Sequence, residues 1–332
     1  MRKKILLSLL SIFIVSSFFI SCKDETSLPS SNDNVETTKT YNYPFTGIES
    51  KEDPSNKTPF MAVVENSKQA RPQSGLSSAD IVYETSAEGG IPRFIAVFHS
   101  KSSEKIGPVR SIRPYFLTIS KEYALPIAHC GGSKEALDEV SKDTSLMSLN
   151  EMSNGKYYFR DTTRKAPHNL YTSSDKIIKA MEDKKYNVSA KTALNFDNNY
   201  FNNENFKSAE NINLIPNKVY ETSYKYKDGV YTKYMDGKVS KDASTNSELT
   251  FTNIIVQKTD ITLQTDNSHL NIDLVKDGEG YLFSKGKVID IKWSKDSEFA
   301  QTKLYDSENK EVFLSPGNTI WNIVDSDSKI DF

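Results

Sequence analysis

The sequence predicts an α+β protein, in which an N-terminal mixed α/β domain precedes a smaller all-β C-terminal domain. Up to about residue 195, β-rich runs alternate with segments whose apolar residues recur at helical spacing. Beyond residue 218 the alternation changes to a two-residue period, with Asp-Gly turns at 228–229 and 236–237 between aromatic strands. We therefore expect an N-terminal domain over residues 45–195, an asparagine-rich linker over 196–217 and a C-terminal β domain over 218–332.

The first 44 residues predict export and lipid attachment. Three basic residues precede an uncharged apolar run from Ile5 to Ile20, which predicts a signal peptide over residues 1–21. Ser21 followed by Cys22 resembles the lipobox of bacterial lipoproteins, in which the cysteine is lipid-modified and becomes the new N-terminus. An ordinary signal peptide or an uncleaved anchor is the alternative. Polar residues then predict a flexible tether over 22–44.

A lipid on Cys22 would hold the protein at the outer face of the cytoplasmic membrane, which makes the membrane its first predicted partner. The chain carries a formal net charge of −2, and removal of residues 1–21 with their three basic side chains lowers it to −5. A mildly acidic exported protein is poorly suited to bind nucleic acid, so that class is set aside. Cys130 is the other cysteine of the chain, so no intramolecular disulfide is expected.

The first strands of the N-terminal domain are predicted from "ADIVYETSAEGGIPRFIAVFHS". Two β-rich runs flank Gly89 and Gly90, which favours a hairpin with a two-residue loop. In that register Arg93 lies opposite Ser86 and diagonal to Glu84 and Glu88. We expect Arg93 to be paired with a carboxylate of the protein itself.

Helices are predicted after this hairpin. Pro114 suits the first turn of a helix whose apolar face carries Phe116, Ile119 and Tyr123. The run "LPIAHC" predicts a strand, the glycines that follow it a turn, and Ser133 the N-cap of the next helix. A strand "KYYFR" and a helix from about residue 173 to 184 complete the domain.

Two arginines in "KIGPVRSIRPYF" indicate a nearby anion. Arg110 and Arg113 lie just before a predicted helix N-terminus, whose partial positive charge repels cations. Arginine also offers a planar, two-pronged donor that lysine, the commoner base in this chain, does not. The anion is either a carboxylate of the protein, from Asp80, Glu84 or Glu88, or the carboxylate or phosphate of a ligand.

The two histidines near these arginines are the other candidate site residues. His129 precedes a glycine turn where a strand passes into a helix, a common position for ligand sites in α/β proteins. Cys130 is expected to be a small buried residue and Ser133 a helix cap. His168 lies on a loop, and residues 160–171 around it could form one wall of a polar cleft. Ligand spacing predicts neither a metal site nor another cofactor.

Several of these segments carry a family resemblance. "ARPQSGLSSADIVYETSAEGGIPRFIAVFHS", "EKIGPVRSIRPYF", "HCGGSKEAL" and "APHNLYTS" resemble the N-terminal domain of the YerB family of bacterial lipoproteins, whose domains are of unknown function. "GEGYLFSKGKVIDIKWSK" and "KEVFLSPGNTIWNIV" resemble its C-terminal domain. The resemblance implies a lipid-anchored, extracytoplasmic protein of two domains, and it implies no established reaction.

Three functional hypotheses follow. The first is a non-enzymatic binding protein for a polar or anionic cell-envelope ligand, or for an envelope protein. Its candidate ligand-binding residues are Arg110, Arg113, His129, Ser133, His168, Glu84, Glu88 and Arg93, and no catalytic residue is assigned. The alternative is a cell-wall or carbohydrate hydrolase that uses Glu84 or Glu88 with His129 or His168 as acid and base. The third is a structural scaffold for membrane complexes.

Overall fold

The predicted signal peptide, Cys22 and most of the predicted tether lie outside residues 39–332, which are the part of the chain that the computed structural model describes. The first half of this part contains strands β1 (Tyr41–Asn42), β2 (Glu49–Ser50), β3 (Phe60–Glu65), β4 (Ile81–Ser86), β5 (Pro92–Phe98), β6 (Ile127–His129), β7 (Ser148–Asn150), β8 (Phe159–Arg160) and β9 (Leu170–Tyr171). Its helices are α1 (Pro114–Tyr123), α2 (Lys134–Lys142), α3 (Glu151–Asn154) and α4 (Ser174–Asp183).

The second half is built from strands, as its two-residue periodicity predicts. They are β10 (Asn195–Phe196), β11 (Lys207–Ser208), β12 (Asn211–Ile215), β13 (Thr222–Lys227), β14 (Val230–Met235), β15 (Lys238–Val239), β16 (Thr250–Phe251), β17 (Asn253–Thr259), β18 (Ile261–Leu263), β19 (Leu270–Ile272), β20 (Asp277–Ser284), β21 (Lys287–Ser294), β22 (Lys303–Tyr305), β23 (Phe313–Leu314), β24 (Thr319–Asp325) and β25 (Lys329–Asp331). Short 3-10 turns occur at Pro54–Asn56, Lys68–Ala70, Leu76–Ser78, Glu88–Gly90, Gly155–Tyr157 and Tyr200–Asn202.

Both halves of the chain contribute to one central sheet of eleven strands. Its order is β11-β21-β20-β17-β24-β4-β5-β3-β6-β7, with β22 paired to β21. The halves meet where β24 pairs in parallel with β4, so that Trp321 lies opposite Tyr83. These two rings stack with their centroids 5.2 Å apart. The segments predicted as two domains therefore share a continuous sheet.

Each face of the central sheet is covered by a different layer. Alternate strand residues point to opposite faces, so Tyr83 packs with helix α1 on one face while Val82 faces the other. The second face packs against helix α4 and a six-stranded sheet of order β15-β14-β13-β12-β25, in which β16 pairs with β14. Burial of both faces explains why β3 and β4 have no exposed position.

Most local predictions are confirmed. Helix α1 begins at Pro114 after an extended Arg113, and the Ser133 hydroxyl caps α2 by accepting from the Ala136 amide at 3.3 Å. The Asp-Gly pairs at 228–229 and 236–237 form the predicted turns, with positive φ at all four residues.

Strand β12 lies within the segment predicted as a linker. Among the described residues, no helix is both long and apolar enough to cross a membrane.

Two local predictions are wrong. The hairpin after β4 has three residues, Glu88–Gly90, in a 3-10 turn, and the Ala87 amide bonds to the Ile91 carbonyl at 2.9 Å. The additional loop residue shifts the register by one, so Arg93 lies opposite Thr85 rather than Ser86. The predicted strand "KYYFR" is confined to β8, because its first two residues belong to the 3-10 turn at Gly155–Tyr157.

Candidate functional site

Three parallel strands end together at one edge of the central sheet. Strand β3 pairs in parallel with β6, and β6 with β7. Glu65 is the last residue of β3, Cys130 follows β6 directly, and Glu151 follows β7 directly. The carboxyl ends of parallel strands are the usual location of ligand sites in such sheets. We call this group, with Arg110, Arg160 and His168, the carboxyl-edge site.

The segment that carries Arg110 runs between β3 and β6 where these strands end. The backbone amide of Arg110 donates to the Val63 carbonyl at 3.0 Å, and the Arg110 carbonyl accepts from the Cys130 amide at 3.0 Å. These two bonds hold the Arg110 backbone between Val63 of β3 and Cys130. The guanidinium then reaches Glu65, with Nε 2.9 Å from Oε2 and Nη2 2.9 Å from Oε1.

Glu65 is the carboxylate at the centre of this site, and its side chain is only 5% exposed. Besides Arg110 it accepts from Ser67 Oγ at 2.7 Å and from His168 Nδ1 at 2.8 Å. Burial acts to raise the pKa of Glu65, but the hydrogen bonds from Ser67, His168 and Arg110 outweigh it, so the pKa is lowered. Glu65 is therefore ionised at neutral pH and joins two of the predicted site residues, Arg110 and His168.

Arg160 forms the outer side of the site. Its side chain is 52% exposed, with Nη1 3.0 Å from Asn169 Oδ1 and Nη2 3.7 Å from Glu151 Oε1. Cys130 donates to the other oxygen of Glu151 at 3.4 Å. Burial and Glu151 raise the pKa of the Cys130 thiol to about 11, against the opposing charges of Arg160 and Arg110. The thiol thus stays protonated, which disfavours nucleophilic chemistry.

A second charged cluster lies just after β4. Glu88 accepts from Arg113 through both carboxylate oxygens, at 2.6 Å for the Nη2 to Oε2 bond, and from Arg93 Nη2 at 2.9 Å. Burial acts to raise the pKa of Glu88, but Arg113 and Arg93 lower it overall. Arg93 also donates to the Ser111 carbonyl at 3.1 Å, which links the cluster to the segment that carries Arg110.

The structure thus supplies protein carboxylates for both arginines of the "VRSIRP" motif. Arg113 pairs with Glu88, which is one of the three carboxylates expected from the sequence. The predicted pairing of Arg93 with a carboxylate of the protein is also confirmed. Arg110 pairs with Glu65, which is not one of the expected carboxylates. The signal for Glu65 was present in the sequence, because a glutamate ends the otherwise apolar run "FMAVVE", but its distance from Arg110 along the chain hides their contact.

His129 and Ser133 have interior roles. His129 is fully buried, with Nδ1 2.8 Å from the Gly131 carbonyl and Nε2 2.7 Å from Ser148 Oγ. Burial lowers the pKa of His129 to about 4, although the bond to Gly131 opposes this. The neutral ring donates from Nδ1 and accepts at Nε2, so both nitrogens are occupied. Ser133 Oγ is the cap acceptor of α2.

Glu84 faces the six-stranded sheet. Its Oε2 lies 2.6 Å from Lys233 Nζ, and both side chains are 1% exposed. Asn66 Nδ2 donates to its other oxygen at 2.9 Å. Burial lowers the pKa of Lys233, while Glu84 acts in the opposite direction. This ion pair joins strand β4 to strand β14, which places Glu84 in the interface between the layers and apart from the carboxyl-edge site.

Comparison with known families accounts for this architecture. Residues 45–187 match the N-terminal domain, and residues 211–321 the C-terminal domain, of a protein family of unknown function, DUF3048. The chain belongs to this family. It is 33% identical over 320 residues to the putative lipoprotein YerB of Bacillus subtilis (strain 168), a match that spans 95% of this chain and 93% of YerB. The crystal structure of the Bacillus subtilis YerB protein superposes with a TM-score of 0.79, over 88% of this chain and 100% of that chain.

Proposed function

We propose that this protein is a lipid-anchored binding protein at the outer face of the cytoplasmic membrane, and that the carboxyl-edge site holds an anionic or polar ligand of the cell envelope. Two observations support the anchored location. The residues around Cys22 resemble a lipobox, and the relative of 33% identity is named as a putative lipoprotein. Cys22 would carry the lipid, and acylation by two or more chains would make the attachment durable.

The observation that carries the binding proposal is the unequal exposure of the arginines at this edge. Arg113 and Arg93 are 9% and 16% exposed and are held by Glu88. Arg110 and Arg160 are 27% and 52% exposed. The inner pair is therefore largely closed to solvent, while the outer pair stays partly accessible even though Arg110 contacts Glu65 and Arg160 lies near Glu151. Guanidinium donors suit carboxylate or phosphate groups.

The charge balance at this edge also favours an anion. Four arginines face three carboxylates, namely Arg93, Arg110, Arg113 and Arg160 against Glu65, Glu88 and Glu151. The whole chain is net negative, so this positive excess is a local feature and not a consequence of the overall composition. A local field of this sign raises the concentration of anions near the site.

The first described residues of the chain contact the edge of the central sheet that lies opposite the carboxyl-edge site. The Thr46 carbonyl accepts from the Gly317 amide at 2.7 Å, and Gly317 lies just before the start of β24. Lys57 Nζ donates to the Ser100 carbonyl at 2.8 Å, beyond the end of the antiparallel β5. The first described residues therefore join the domain at the edge opposite the carboxyl-edge site.

The hydrolase alternative is less well supported by the geometry. Glu84 is neutralised by buried Lys233, Glu88 is shared by two arginines, and both ring nitrogens of His129 are occupied. His168 does contact a glutamate, Glu65, but the lowered pKa keeps this carboxylate ionised. An ionised carboxylate cannot act as the general acid that glycoside cleavage needs.

Thermal unfolding of the full-length protein in neutral detergent tests the proposal. Soluble peptidoglycan fragments released by a muramidase serve as the probe. We expect a saturable rise in melting temperature, which the double variant Arg110→Gln/Arg160→Gln loses. The matched control, Lys156→Gln/Lys179→Gln, removes two exposed charges that pair with Asp183 outside the site and keeps the rise. No rise with the wild type, or an equal loss in the control, would contradict binding at this site.

A further inference from the structure

A concave surface lies between the two family segments. Its volume is about 580 Å³, and we call it the inter-segment cleft. One wall is residues 68–73, which follow β3, and the other is residues 235–241, which include the turn between β14 and β15. It shares no lining residue with the carboxyl-edge site. A volume of this order falls within the range of small-ligand sites.

The cleft carries an excess of positive charge. Its charged lining consists of Lys68, Arg71, Lys238, Lys241 and Asp236. Asp236 lies 2.7 Å from Arg71 Nη1 and 3.8 Å from Lys68 Nζ. Neither of the other two lysines forms a salt bridge within residues 39–332. Four cations therefore face one carboxylate in a chain whose formal charge is −2.

The base of the cleft is held in place by hydrogen bonds. Arg71 donates from Nε to the backbone and side-chain oxygens of Asn66, each at 3.1 Å, and from Nη2 to the Asn66 carbonyl at 2.9 Å. Gln73 is 4% exposed, and its carbonyl accepts from the Ala243 amide of the other segment at 2.6 Å. Pre-ordered walls reduce the conformational entropy that the protein would otherwise lose when a ligand binds.

We infer that the inter-segment cleft binds a ligand with two or more phosphate groups. The guanidinium of Arg71, oriented by Asn66 and Asp236, provides a fixed donor at one side. Lys238 and Lys241 provide unneutralised ammonium groups at the other side. A single phosphate would fill a small part of the volume, which leaves room for a chain of phosphates to reach cations on both walls. This site is independent of the proposed function of the carboxyl edge.

Calorimetric titration of the full-length protein in neutral detergent tests this inference, with tripolyphosphate, inorganic phosphate and citrate as probes. We expect saturable binding of tripolyphosphate, at least about tenfold tighter than either other anion and weaker as salt rises. The variant Lys238→Gln/Lys241→Gln should weaken it about tenfold or more. The control Lys218→Gln/Lys227→Gln removes two exposed lysine charges outside the cleft and should leave it unchanged.

Three outcomes would overturn the inference. They are no binding of tripolyphosphate, equal binding of citrate, and an equal loss in the control variant. The carboxyl-edge variant Arg110→Gln/Arg160→Gln separates the two sites, because it should retain tripolyphosphate binding while losing the response to peptidoglycan fragments. Unchanged urea midpoints in all variants would show that an effect on affinity does not come from unfolding.

Discussion

The substitution Lys233→Met tests the buried ion pair that joins the two layers of sheet. Lys233 Nζ contacts Glu84 Oε2 at 2.6 Å and Tyr224 Oη at 3.3 Å, and it also donates to Thr222 Oγ1. Methionine preserves the length of the side chain but removes the charge. The Glu84 carboxylate then stays 1% exposed, with Asn66 as its remaining donor. Breaking a buried pair in this way typically costs about 3–5 kcal/mol, which we expect here.

Urea unfolding followed by tryptophan fluorescence measures this loss. The chain has two tryptophans, Trp293 and Trp321, and each is 1% exposed in the core, so both report on global unfolding. Replacement of both partners, Glu84→Gln with Lys233→Met, should recover much of the stability because no charge is then left buried. Lys225→Met, at an exposed position of β13, is the control and should change stability by less than about 0.5 kcal/mol. A loss below about 1 kcal/mol in Lys233→Met would refute the reasoning.

Three further predictions concern stability. Glu88→Gln removes the carboxylate shared by two largely buried arginines and should cost about 2–4 kcal/mol in urea unfolding, whereas exposed Glu182→Gln should cost little. His129 has a folded pKa of about 4, below its unfolded value, so stability should fall as pH drops from about 6.5 to 4, by up to about 1.4 kcal/mol per pH unit. The urea midpoint of His129→Gln should not show this additional loss of stability at low pH. Gly280→Ala would place Cβ 2.0 Å from a backbone oxygen and should cost about 2–3 kcal/mol, whereas Gly155→Ala meets nothing within 4 Å.

Each of these predictions has an outcome that contradicts it. Equal effects of Glu88→Gln and Glu182→Gln would show that the shared carboxylate does not hold its arginines. A constant difference between the wild type and His129→Gln from pH 7 to 5 would show that the buried ring does not titrate as described. Equal stability of the two glycine variants would show that β20 and β17 do not approach each other this closely.

Local rules of sequence predicted α1, α2, α4 and the two Asp-Gly turns. Pro114 marks the start of α1, Ser133 caps α2, and the Asp-Gly turns of the second sheet lie where the alternation places them. Each of these features depends on residues within a few positions of one another. The wrong hairpin register also comes from relying on neighbouring residues alone, because two glycines suit a three-residue loop as well as a two-residue loop.

Contacts between distant segments were beyond such rules. The parallel pairing of β24 with β4 unites the two predicted domains, yet no pattern within either strand specifies its neighbour. The same applies to the site. A helix start that repels cations predicts an anion near Arg110, but the identity of that anion, Glu65, depends on how β3 and the Arg110 segment pack. The presence of an anion near Arg110 could thus be predicted from the sequence, whereas the residue that supplies it could not.

Arginine side-chain resonances test the central proposal most directly. In the full-length protein with ¹⁵N-labelled arginine, Nε–H signals are followed as soluble peptidoglycan fragments are added. The account predicts saturable shifts for Arg110 and Arg160, with Arg113 unchanged because its side chain is only 9% exposed. Signals that all stay unchanged, or that all shift alike, would contradict a binding site at the carboxyl edge.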